Sequence, residues 1–317
     1  MSQRKNDVIV VGELNIDLIL DDIAKFPEIG KEVLANEMKQ TLGSSSAIFA
    51  NNLSILGTRV SYLGKVGNDG YADEIISTLS KAGVDVSNIL RSQKYYTGIT
   101  VALNFGNNRA MVTYPGAMCD LTINDISDEA LKSSSHMHLS SAFLQTGLMP
   151  DLKALFRRAK SLGLTTSLDP QWDPEEKWDI DLKELLPFVD VFLPNETELK
   201  NFAGSGNILD AINIIKPYGN VLVVKNGTEG AIMWDGKKII SQPACLNKNV
   251  VDAIGAGDSF DAGFINGFIN HKPLEKCLEQ GILMGAVNTT AAGGTGAFKS
   301  LDAISNCLQE RFNRKLE

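Results

Sequence analysis

The chain has 317 residues, of which 44% are hydrophobic and 21% charged, and a formal net charge of −8 at pH 7. This length can bury one large α/β core, and the acidity argues against nucleic acids and anionic membranes as partners, because both are bound by clustered Lys and Arg. The apolar run from Val8 to Leu20 is interrupted by Glu13, Asn15 and Asp17, so it suits strands better than a signal peptide or a membrane span. The cysteines are widely spaced and predict free thiols in a reducing compartment, so we expect a cytoplasmic protein.

Short β-rich runs alternate with helical patterns, which predicts an α/β fold with a mostly parallel sheet covered by helices on both faces. The predicted strands of this sheet are Val8–Gly12, Val60–Gly64, His136–Ser140, Thr165–Asp169, Val189–Pro194, Val221–Lys225 and Ala231–Trp234. The predicted helices are Ala47–Leu56, Ala72–Ala82, Pro150–Leu162, Glu196–Phe202, one that begins near Ala256, Leu274–Ala292 and Leu301–Arg314. We expect a single domain over residues 1–317.

Two further stretches have strand character but no helix between their paired strands. They are Leu14–Leu20 with Val33–Thr41, and Gly98–Phe105 with Arg109–Thr113, and Gly106-Asn107-Asn108 predicts a hairpin turn within the second pair. Together they predict a small discontinuous β lid, from about 14–42 and 97–116, that closes over a ligand at the carboxyl edge of the main sheet. An exposed lid edge can be covered by the lid of a second copy, so a homodimer is one expectation.

The segment from Asp252 to Phe264 is the most informative part of the chain. The Gly255-Ala256-Gly257 run precedes an acid, Asp258, and an apolar pattern with helical spacing. The glycines let the backbone approach a ligand closely, and the unpaired N–H groups at a helix start favour a phosphate. Asp258 in this first turn either caps its own helix or accepts a proton from a hydroxyl that attacks a phosphorus atom held by those amides.

This segment resembles the C-terminal signature of the ribokinase-like (PfkB) family of carbohydrate and nucleoside kinases, in which an Asp-x-x-Gly-Ala-Gly-Asp run opens such a helix. The resemblance implies a ribokinase-like three-layer fold with a small β lid. It also implies that Asp258 is the catalytic base and that the amides of Gly255, Ala256 and Gly257 form the anion hole for the γ-phosphate of ATP. A monovalent cation, K⁺, is implied near Asp252 and the 293–300 loop.

A second cluster, Asn195 and Glu198, lies at positions i and i+3 directly after a predicted buried strand, so the two side chains share one helix face. Oxygen donors beside a phosphate suit Mg²⁺, usually through its waters. The pair resembles the Asn-x-x-Glu element that organises Mg²⁺ and phosphate in the same family. The alternative is a capping role at the start of a helix.

The expected nucleotide site follows the strand that ends at Lys225. Gly227 and Gly230 form either a simple hairpin or, as in similar kinases, the turn that borders ATP. The resemblance also places Asn288, on a later helix, close to the adenine. The chain contains no Gly-x-x-x-x-Gly-Lys-Ser/Thr run and no Gly-x-Gly-x-x-Gly after its first strand, which argues against a P-loop kinase and a dinucleotide reductase.

The acceptor half of the resemblance is less regular. Asn15 and Asp17 match the N-terminal pattern of the family, in which an Asp binds sugar hydroxyls, and a hydroxyl-rich ligand would satisfy an acid in an apolar strand. Gly43 and Ser44 stand where the family commonly has a Gly-Gly pair, and Ile48 stands where it has an Asn. Because hydrogen-bonded hydroxyls dominate the discrimination between sugars, these two departures disfavour ribose as the acceptor.

The run Asp169-Pro170-Gln171, with Trp178 downstream, resembles the Asp-Pro-Asn and Trp of fructokinases and 2-keto-3-deoxygluconate kinases. We therefore expect an ATP-dependent sugar kinase with such an acceptor, contacted by Asp169, rather than ribose. A nucleoside kinase of the same fold and a non-catalytic sugar or nucleotide sensor are the alternatives. His136 and His138 alternate on a predicted strand and have no metal-like spacing, so we interpret them as structural.

Overall fold

The computed structural model describes residues 4–105 and 108–316. Its strands are β1 (Val8–Val11), β2 (Asn15–Ile23), β3 (Ala35–Leu42), β4 (Val60–Val66), β5 (Asp85–Arg91), β6 (Gly98–Phe105), β7 (Asn108–Tyr114), β8 (His136–Ser140), β9 (Thr165–Asp169), β10 (Val191–Phe192), β11 (Val221–Lys225), β12 (Ala231–Trp234) and β13 (Ile239–Gln242). Its α-helices are α1 (Ser45–Ile55), α2 (Gly70–Lys81), α3 (Asp128–Lys132), α4 (Leu152–Ser161), α5 (Leu182–Leu185), α6 (Glu196–Ala203), α7 (Ile208–Ile215), α8 (Ala256–Ile269), α9 (Leu274–Asn288) and α10 (Leu301–Phe312). Short 3₁₀ turns occur at Gly116–Asp120, Ile123–Asp125, Ala142–Leu144, Met149–Asp151, Leu186–Phe188 and Gly227–Glu229.

The main sheet has nine strands in the order β13-β12-β11-β10-β9-β8-β1-β4-β5. The pairs from β11 to β5 are parallel, and β12 and β13 add an antiparallel end. The four residues of β1 are fully buried because helices cover both faces of the sheet. Val8 and Val10 pack with Phe49 and Phe264 on one face. The β1 residues that alternate with Val8 and Val10 pack with Phe156 and Leu139 on the other face of the sheet. The core therefore consists of two apolar layers, one on each face.

The smaller sheet, which we call the lid, has four strands in the order β3-β2-β6-β7. Strands β2 and β6 are parallel, while β2 with β3 and β6 with β7 are antiparallel. Phe105 pairs with Asn108, as a hairpin requires, but Gly106 and Asn107 of the predicted turn lie outside the described residues. The lid strands occur in the two sequence ranges where strands without an intervening helix were expected.

Several elements differ from the sequence predictions. Strands β5 and β13 were not predicted, since both lie at sheet edges and are only partly buried, which weakens the apolar pattern. Strand β10 has two residues rather than the six expected over Val189–Pro194. Helices α3, α5 and α7 were not predicted either. Helices α3 and α5 have only five and four residues, too few to show a helical period, and α7 is rich in Ile, which favours strands. Within the described residues, no helix has the length and apolarity needed to cross a membrane.

Candidate active site

The site forms where neighbouring parallel strands end. Strands β9, β10 and β11 lie side by side, so Asp169 at the end of β9 and Lys225 at the end of β11 reach the same sheet edge. Lys225 Nζ donates to Asp169 Oδ2 at 2.8 Å and to Asp261 Oδ2, from α8, at 3.0 Å. Burial lowers the pKa of Lys225, but the two carboxylates outweigh it and hold that pKa above its usual range. The result is a buried cluster of one cation and two acids.

Helix α8 begins beside this cluster. Its N-cap, Gly255, has φ 74° and ψ 7°, in the left-handed region that favours glycine. A Cβ at Gly255 would lie 2.5 Å from the Cα of Gly294, so the backbone of the following loop packs directly against it. Among the residues that the structure describes, no side chain caps α8. The amide of Ala256 donates to the carbonyl of Ala253 at 3.2 Å, and the amides of Gly257 and Asp258 lie beyond it in the first turn of α8.

Asp258 lies in that first turn with its side chain directed into the site. Gln171 Nε2 donates to Asp258 Oδ1 at 3.1 Å and to Asp169 Oδ2 at 2.6 Å. Burial raises the pKa of Asp258 to about 7, the charge of Asp169 adds to this rise, and Lys225 opposes it. A carboxylate with a pKa near neutrality is suited to accept a proton from an alcohol.

A cavity of about 430 Å³ opens next to the start of α8. The expected nucleotide residues Lys225, Gly227 and Gly230 line it, together with Ala256 and Gly257. The rest of its wall is largely apolar and includes Leu246, Val250, Phe260, Ile282 and Ala286. A flat apolar ligand fits this part, and an anionic group fits the end near Gly257 and Lys225. A larger cavity, about 550 Å³, lies between α9 and the C-terminal segment and contains none of the predicted site residues.

Asn288 lies on the part of α9 that borders the cavity, where Ala286 and Thr289 line it, but the Asn288 side chain points into the protein. Its side chain is fully buried and is absent from the lining of the 430 Å³ cavity. Its Nδ2 donates to the carbonyl of Ile254 at 2.6 Å, and its Oδ1 accepts from Ser259 Oγ at 2.9 Å. Both polar groups are thus used inside the protein, where Asn288 holds the segment before α8, and its contact with the adenine stays a prediction.

Asn195 and Glu198 form a reciprocal capping box at the start of α6. Asn195 Oδ1 accepts from the amide of Glu198 at 2.9 Å, and Glu198 Oε2 accepts from the amide of Asn195 at 2.8 Å. Burial, with a contribution from the charge of Asp169 and against that of Lys225, raises the pKa of Glu198 to about 7. The capping alternative is therefore present in the structure, and the pair also lies within electrostatic reach of Asp169, Lys225 and Asp258.

The expected acceptor contacts lie where the lid meets the main sheet. Asn15 Nδ2 donates to Asp17 Oδ1 at 2.8 Å and to Thr100 Oγ1 at 3.0 Å. A Cβ at Gly43 would lie 2.3 Å from Asp17 Oδ1, so only glycine leaves room for this acid. Burial raises the pKa of Asp17 to about 6, against the opposing effects of the Asn15 hydrogen bond and of the Arg109 charge.

Sequence reasoning missed Glu13 as part of this region. Ser44 Oγ donates to the Glu13 carbonyl at 2.6 Å and lies 3.0 Å from Glu13 Oε1, and the amide of Ser46 donates to the same carboxylate at 3.2 Å. Ser44 adopts φ 68°, so it keeps a glycine-like backbone while its hydroxyl also caps α1. The sequence signal that could have identified Glu13 was an acid inside an apolar run. Asp261 was missed as well, although an acid three residues after Asp258 shares its helix face.

Asp252 connects three segments around the start of α8. Its Oδ1 accepts from the amide of Ile254 at 3.0 Å, and its Oδ2 accepts from the amide of Gly293 at 3.0 Å. Arg109 of the lid brings Nη2 to 4.0 Å from Oδ1. Ile48 packs beside this loop, since a Cβ at Gly294 would lie 2.3 Å from its Cδ1. Ile48 therefore fills the contact between α1 and the 293–294 loop.

Comparison with known proteins identifies the group to which these features belong. The sequence model of the pfkB family carbohydrate kinases matches residues 5–300. The chain is 26% identical over 287 residues to the 2-dehydro-3-deoxygluconokinase of Bacillus subtilis, covering 84% of this chain and 86% of that one. It is 26% identical over 307 residues to the ribokinase of Lactococcus lactis, covering 96% and 97%.

A solved structure shows the same fold. The putative ribokinase II from E. coli, in complex with ATP and Mg²⁺, superposes with a TM-score of 0.83 at 24% identity, covering 96% of this chain and 100% of that one. The expected ribokinase-like α/β fold is thus confirmed.

Proposed function

We propose that this chain, which belongs to the pfkB family of carbohydrate kinases and is thus a phosphotransferase with an alcohol acceptor, transfers the γ-phosphate of ATP to a primary hydroxyl group of a sugar. One observation carries the proposal. Asp258 is buried and has its pKa raised to about 7. It lies in the first turn of a helix that no described side chain caps and that borders a cavity of nucleotide size. A base and an anion-binding helix start thus lie together.

In this mechanism Asp258 accepts the proton of the attacking hydroxyl. The Gln171 amide orients the carboxylate through its bond to Oδ1. The first-turn amides around Gly255–Gly257 stabilise the charge on the transferred phosphoryl group, helped by the positive end of the α8 dipole. Phosphoryl transfer depends mainly on such positioning and charge neutralisation.

We assign ATP to the 430 Å³ cavity. Its apolar wall suits the adenine. Gly257 and Lys225 lie close together at the end that suits the phosphates, because a Cβ at Gly257 would lie 3.7 Å from Lys225 Nζ. On the other side of the cavity, position 230 accepts only glycine, because its φ is 102° and a Cβ there would lie 2.1 Å from the Gln242 carbonyl oxygen. The E. coli neighbour was solved with ATP and Mg²⁺, which supports this ligand.

The side chains present fit a hydrated Mg²⁺ held mainly by the phosphates. Among the described residues there is no group of three or more His, Cys, Asp and Glu side chains that could hold a metal. Both Glu198 oxygens are already bonded to Asn195, so this pair suits contacts to the waters of the ion. When bound, Mg²⁺ neutralises charge on the phosphates.

We also propose a K⁺ ion near Asp252. The Asp252 oxygens accept amides from Ile254 and Gly293, so this carboxylate fixes the loop, and the ion would be bound by backbone carbonyls of the 293–300 segment. The test is the rate of ADP release with K⁺ and with Na⁺ at equal ionic strength. An equal rate with both ions removes the proposal.

For the acceptor, we propose a ketohexose or a 2-keto-3-deoxy sugar acid bound by Asn15, Asp17, Gly43, Ser44 and Asp169. Gln171 supports this class, because it stands where fructokinase-like sequences have Asn and it joins Asp169 to Asp258. Ile48 supports it too, since its apolar side chain against Gly294 offers ribose no hydrogen bond.

The test is ADP release by the purified protein with Mg-ATP and K⁺ against D-fructose, 2-keto-3-deoxy-D-gluconate, D-ribose and adenosine. We expect strong stimulation by one of the first two. Stimulation by adenosine alone would make the chain a nucleoside kinase. ATP binding without stimulation by any of the four would favour the sensor.

Finally, we propose a cytoplasmic protein that forms a homodimer through the lid. Strand β7 is an edge of the lid, and its Met111 and Val112 are 66% and 70% exposed, which suits a second copy of the same edge. Sedimentation velocity tests this, with Val112→Lys expected to give a monomer if the wild type is a dimer. A wild type that sediments as a monomer at micromolar concentration rejects it.

A further inference from the structure

Three charged side chains form the innermost part of the candidate active site, and we call them the acid–lysine triad. They are Asp169 at the end of β9, Lys225 at the end of β11 and Asp261 on α8. Lys225 Nζ donates to the Oδ2 atoms of the two acids, at 2.8 Å and 3.0 Å. Asp169 and Asp261 are 0% and 1% exposed, so bulk water does not solvate their charges. The charge of the triad therefore has to be balanced within the protein.

The second oxygen of each acid has no partner. Asp169 Oδ1 and Asp261 Oδ1 are both buried, and neither accepts a hydrogen bond from any residue that the structure describes. The Oδ2 atom of Asp169 accepts a further bond, from Gln171 Nε2 at 2.6 Å. Buried polar atoms are almost always hydrogen-bonded, and an unpaired oxygen of an ionised carboxylate is especially costly. Two ionised acids therefore do not explain this arrangement.

A proton on one acid, donated to the other, removes the difficulty. Two carboxylates at one site repel each other, so one of them keeps a proton at a pH where an isolated acid has lost it. Burial raises the pKa of Asp261 well above its usual range, Lys225 opposes this, and the charge of Asp169 and a hydrogen bond with Asp169 raise it as well. Asp169 accepts from two donors and Asp261 from one, which favours the charged form at Asp169. The proton thus belongs on Asp261.

The elements around Asp261 contribute few other charges. Burial raises the pKa of Glu198 on α6 and of Asp258 on α8 to about 7, and it lowers the pKa of His138 on β8 well below the usual range, so His138 is neutral. Of the helices packed on α8, α1 has no charged residue and α9 has its charged residues in its first two turns, 274–279. Among the described residues, Lys225 is the cation that contacts both acids, and one ionised carboxylate balances it.

The ammonium group of Lys225 has a third N–H group. The described part of the chain offers it no third acceptor, and Lys225 lines the 430 Å³ cavity at the end near Gly257. A phosphate in that end of the cavity can accept this third bond. The position of the ammonium is set by the two acids behind it.

We propose that Asp261 is a protonated positioning residue: it donates to Asp169, accepts from Lys225, and so holds the ammonium toward the phosphates of ATP without adding a second negative charge beside them. The inference rests on the proposed function only for the identity of the ligand. Asp261 acts through Lys225 and is not itself catalytic.

The first test needs no ligand. The full protein is labelled with ¹³C at the side-chain carboxyl carbon of aspartate, and the nuclear magnetic resonance signal that is absent from Asp261→Asn belongs to Asp261. We expect this signal at pH 7 to have the chemical shift of a protonated acid. The chemical shift of a carboxylate at pH 7 would overturn the proposal. It would leave the kinase assignment untouched, because Asp258→Asn tests that assignment separately.

The second test compares two variants by calorimetry with ATP. Asp261→Asn imitates the protonated acid, because its amide accepts from Lys225 and donates to Asp169, whereas Asp261→Leu has a similar size and does neither. We expect Asp261→Leu to raise the Kd for ATP by about tenfold or more, as for the loss of one hydrogen bond between charged groups. Asp261→Asn should restore most of this affinity. Losses of similar size in the two variants, which an ionised Asp261 predicts, would contradict the proposal.

Adenosine separates positioning from general damage to the cavity. It fills the apolar part of the cavity but has no phosphate, so its affinity, measured by competition with ATP, should be the same in Asp261→Leu and the wild type. Equal losses of adenosine and ATP affinity in Asp261→Leu would show a merely structural role and reject the proposal. If Asp261→Leu does not fold, the ¹³C signal and the ATP affinity of Asp261→Asn still decide.

Asn266→Leu is the matched control on the same helix. Asn266 is buried, and its Nδ2 donates to Thr58 Oγ1 at 3.0 Å, outside the site. The variant should lose stability and keep the wild-type affinity for ATP. A loss of ATP affinity as large as that of Asp261→Leu would mean that any buried polar group of α8 has this effect, and it would reject the specific role of Asp261.

Discussion

The side-chain amide of Gln171 lies 3.1 Å from Oδ1 of Asp258. This bond joins the segment after β9 to the first turn of α8, two parts of the chain that are 87 residues apart in sequence. The same Nε2 donates to Asp169 at 2.6 Å. Gln171 has φ 60°, a backbone conformation that is uncommon for a residue other than glycine, so the segment is held in an unfavourable conformation at the site.

The Gln171 bond predicts a shift in the pH dependence of activity. A donor to a carboxylate favours its charged form, so Gln171→Leu should raise the pKa of Asp258 above its value of about 7. The rising limb of kcat/KM should therefore move to higher pH in this variant. Gln171→Asn, which retains the amide, is the control. A pH profile identical to the wild type in Gln171→Leu would show that Gln171 does not act on the base.

Asp258 should also make the fold less stable at alkaline pH. Its folded pKa of about 7 lies above the ordinary value of 3.8, so between these pH values the folded state binds more protons than the unfolded state and stability falls as pH rises. Asp258→Asn removes this dependence. The thermal midpoint of the variant minus that of the wild type, both measured by circular dichroism, should therefore be higher at pH 8 than at pH 5. A difference independent of pH would contradict the raised pKa.

Ile48 should be a packing residue that also excludes ribose. It is 3% exposed and lies against Gly255 and Gly294. Ile48→Val should cost ~0.5–1.5 kcal/mol of the free energy of unfolding, and Ile48→Asn more, because a buried amide without partners costs ~1–3 kcal/mol. Urea denaturation measures both. An Ile48→Asn protein as stable as the wild type would contradict the packing role, whereas new ribokinase activity in that variant would support the exclusion of ribose by Ile48.

Sequence reasoning predicted the fold and part of the site. The strands at His136–Ser140, Thr165–Asp169 and Val221–Lys225 have their predicted bounds, because each is a short β-rich run at the centre of a sheet. Contacts between side chains that are distant in sequence were harder to predict. The bonds of Asn288 to Ile254 and Ser259, and of Ser44 to Glu13, depend on how separate elements pack, and no local pattern encodes them.

Asp252 should control how the loop after α9 supports the nucleotide site. Asp252→Ala loses the bonds to the amides of Ile254 and Gly293, and hydrogen bonds to charged groups contribute ~1.5–3 kcal/mol each. We expect KM for ATP to rise about tenfold, since ~1.4 kcal/mol of lost binding is a factor of ten. Any activation by K⁺ should fall as well. Asp252→Asn keeps one acceptor oxygen, so its KM for ATP should lie between the values of the wild type and of Asp252→Ala. Unchanged steady-state constants in Asp252→Ala would reject this role.

The role of Asp258 as the base is tested most directly by single-turnover phosphoryl transfer in Asp258→Asn, together with ATP binding by calorimetry. A positioned base contributes ~10²–10⁴-fold, so we expect the rate to fall by at least ~10²-fold. The Kd for ATP should be unchanged, because the cavity contacts are made by other residues. A variant that binds ATP and transfers phosphate at a rate close to that of the wild type would contradict the assignment of Asp258 as the base.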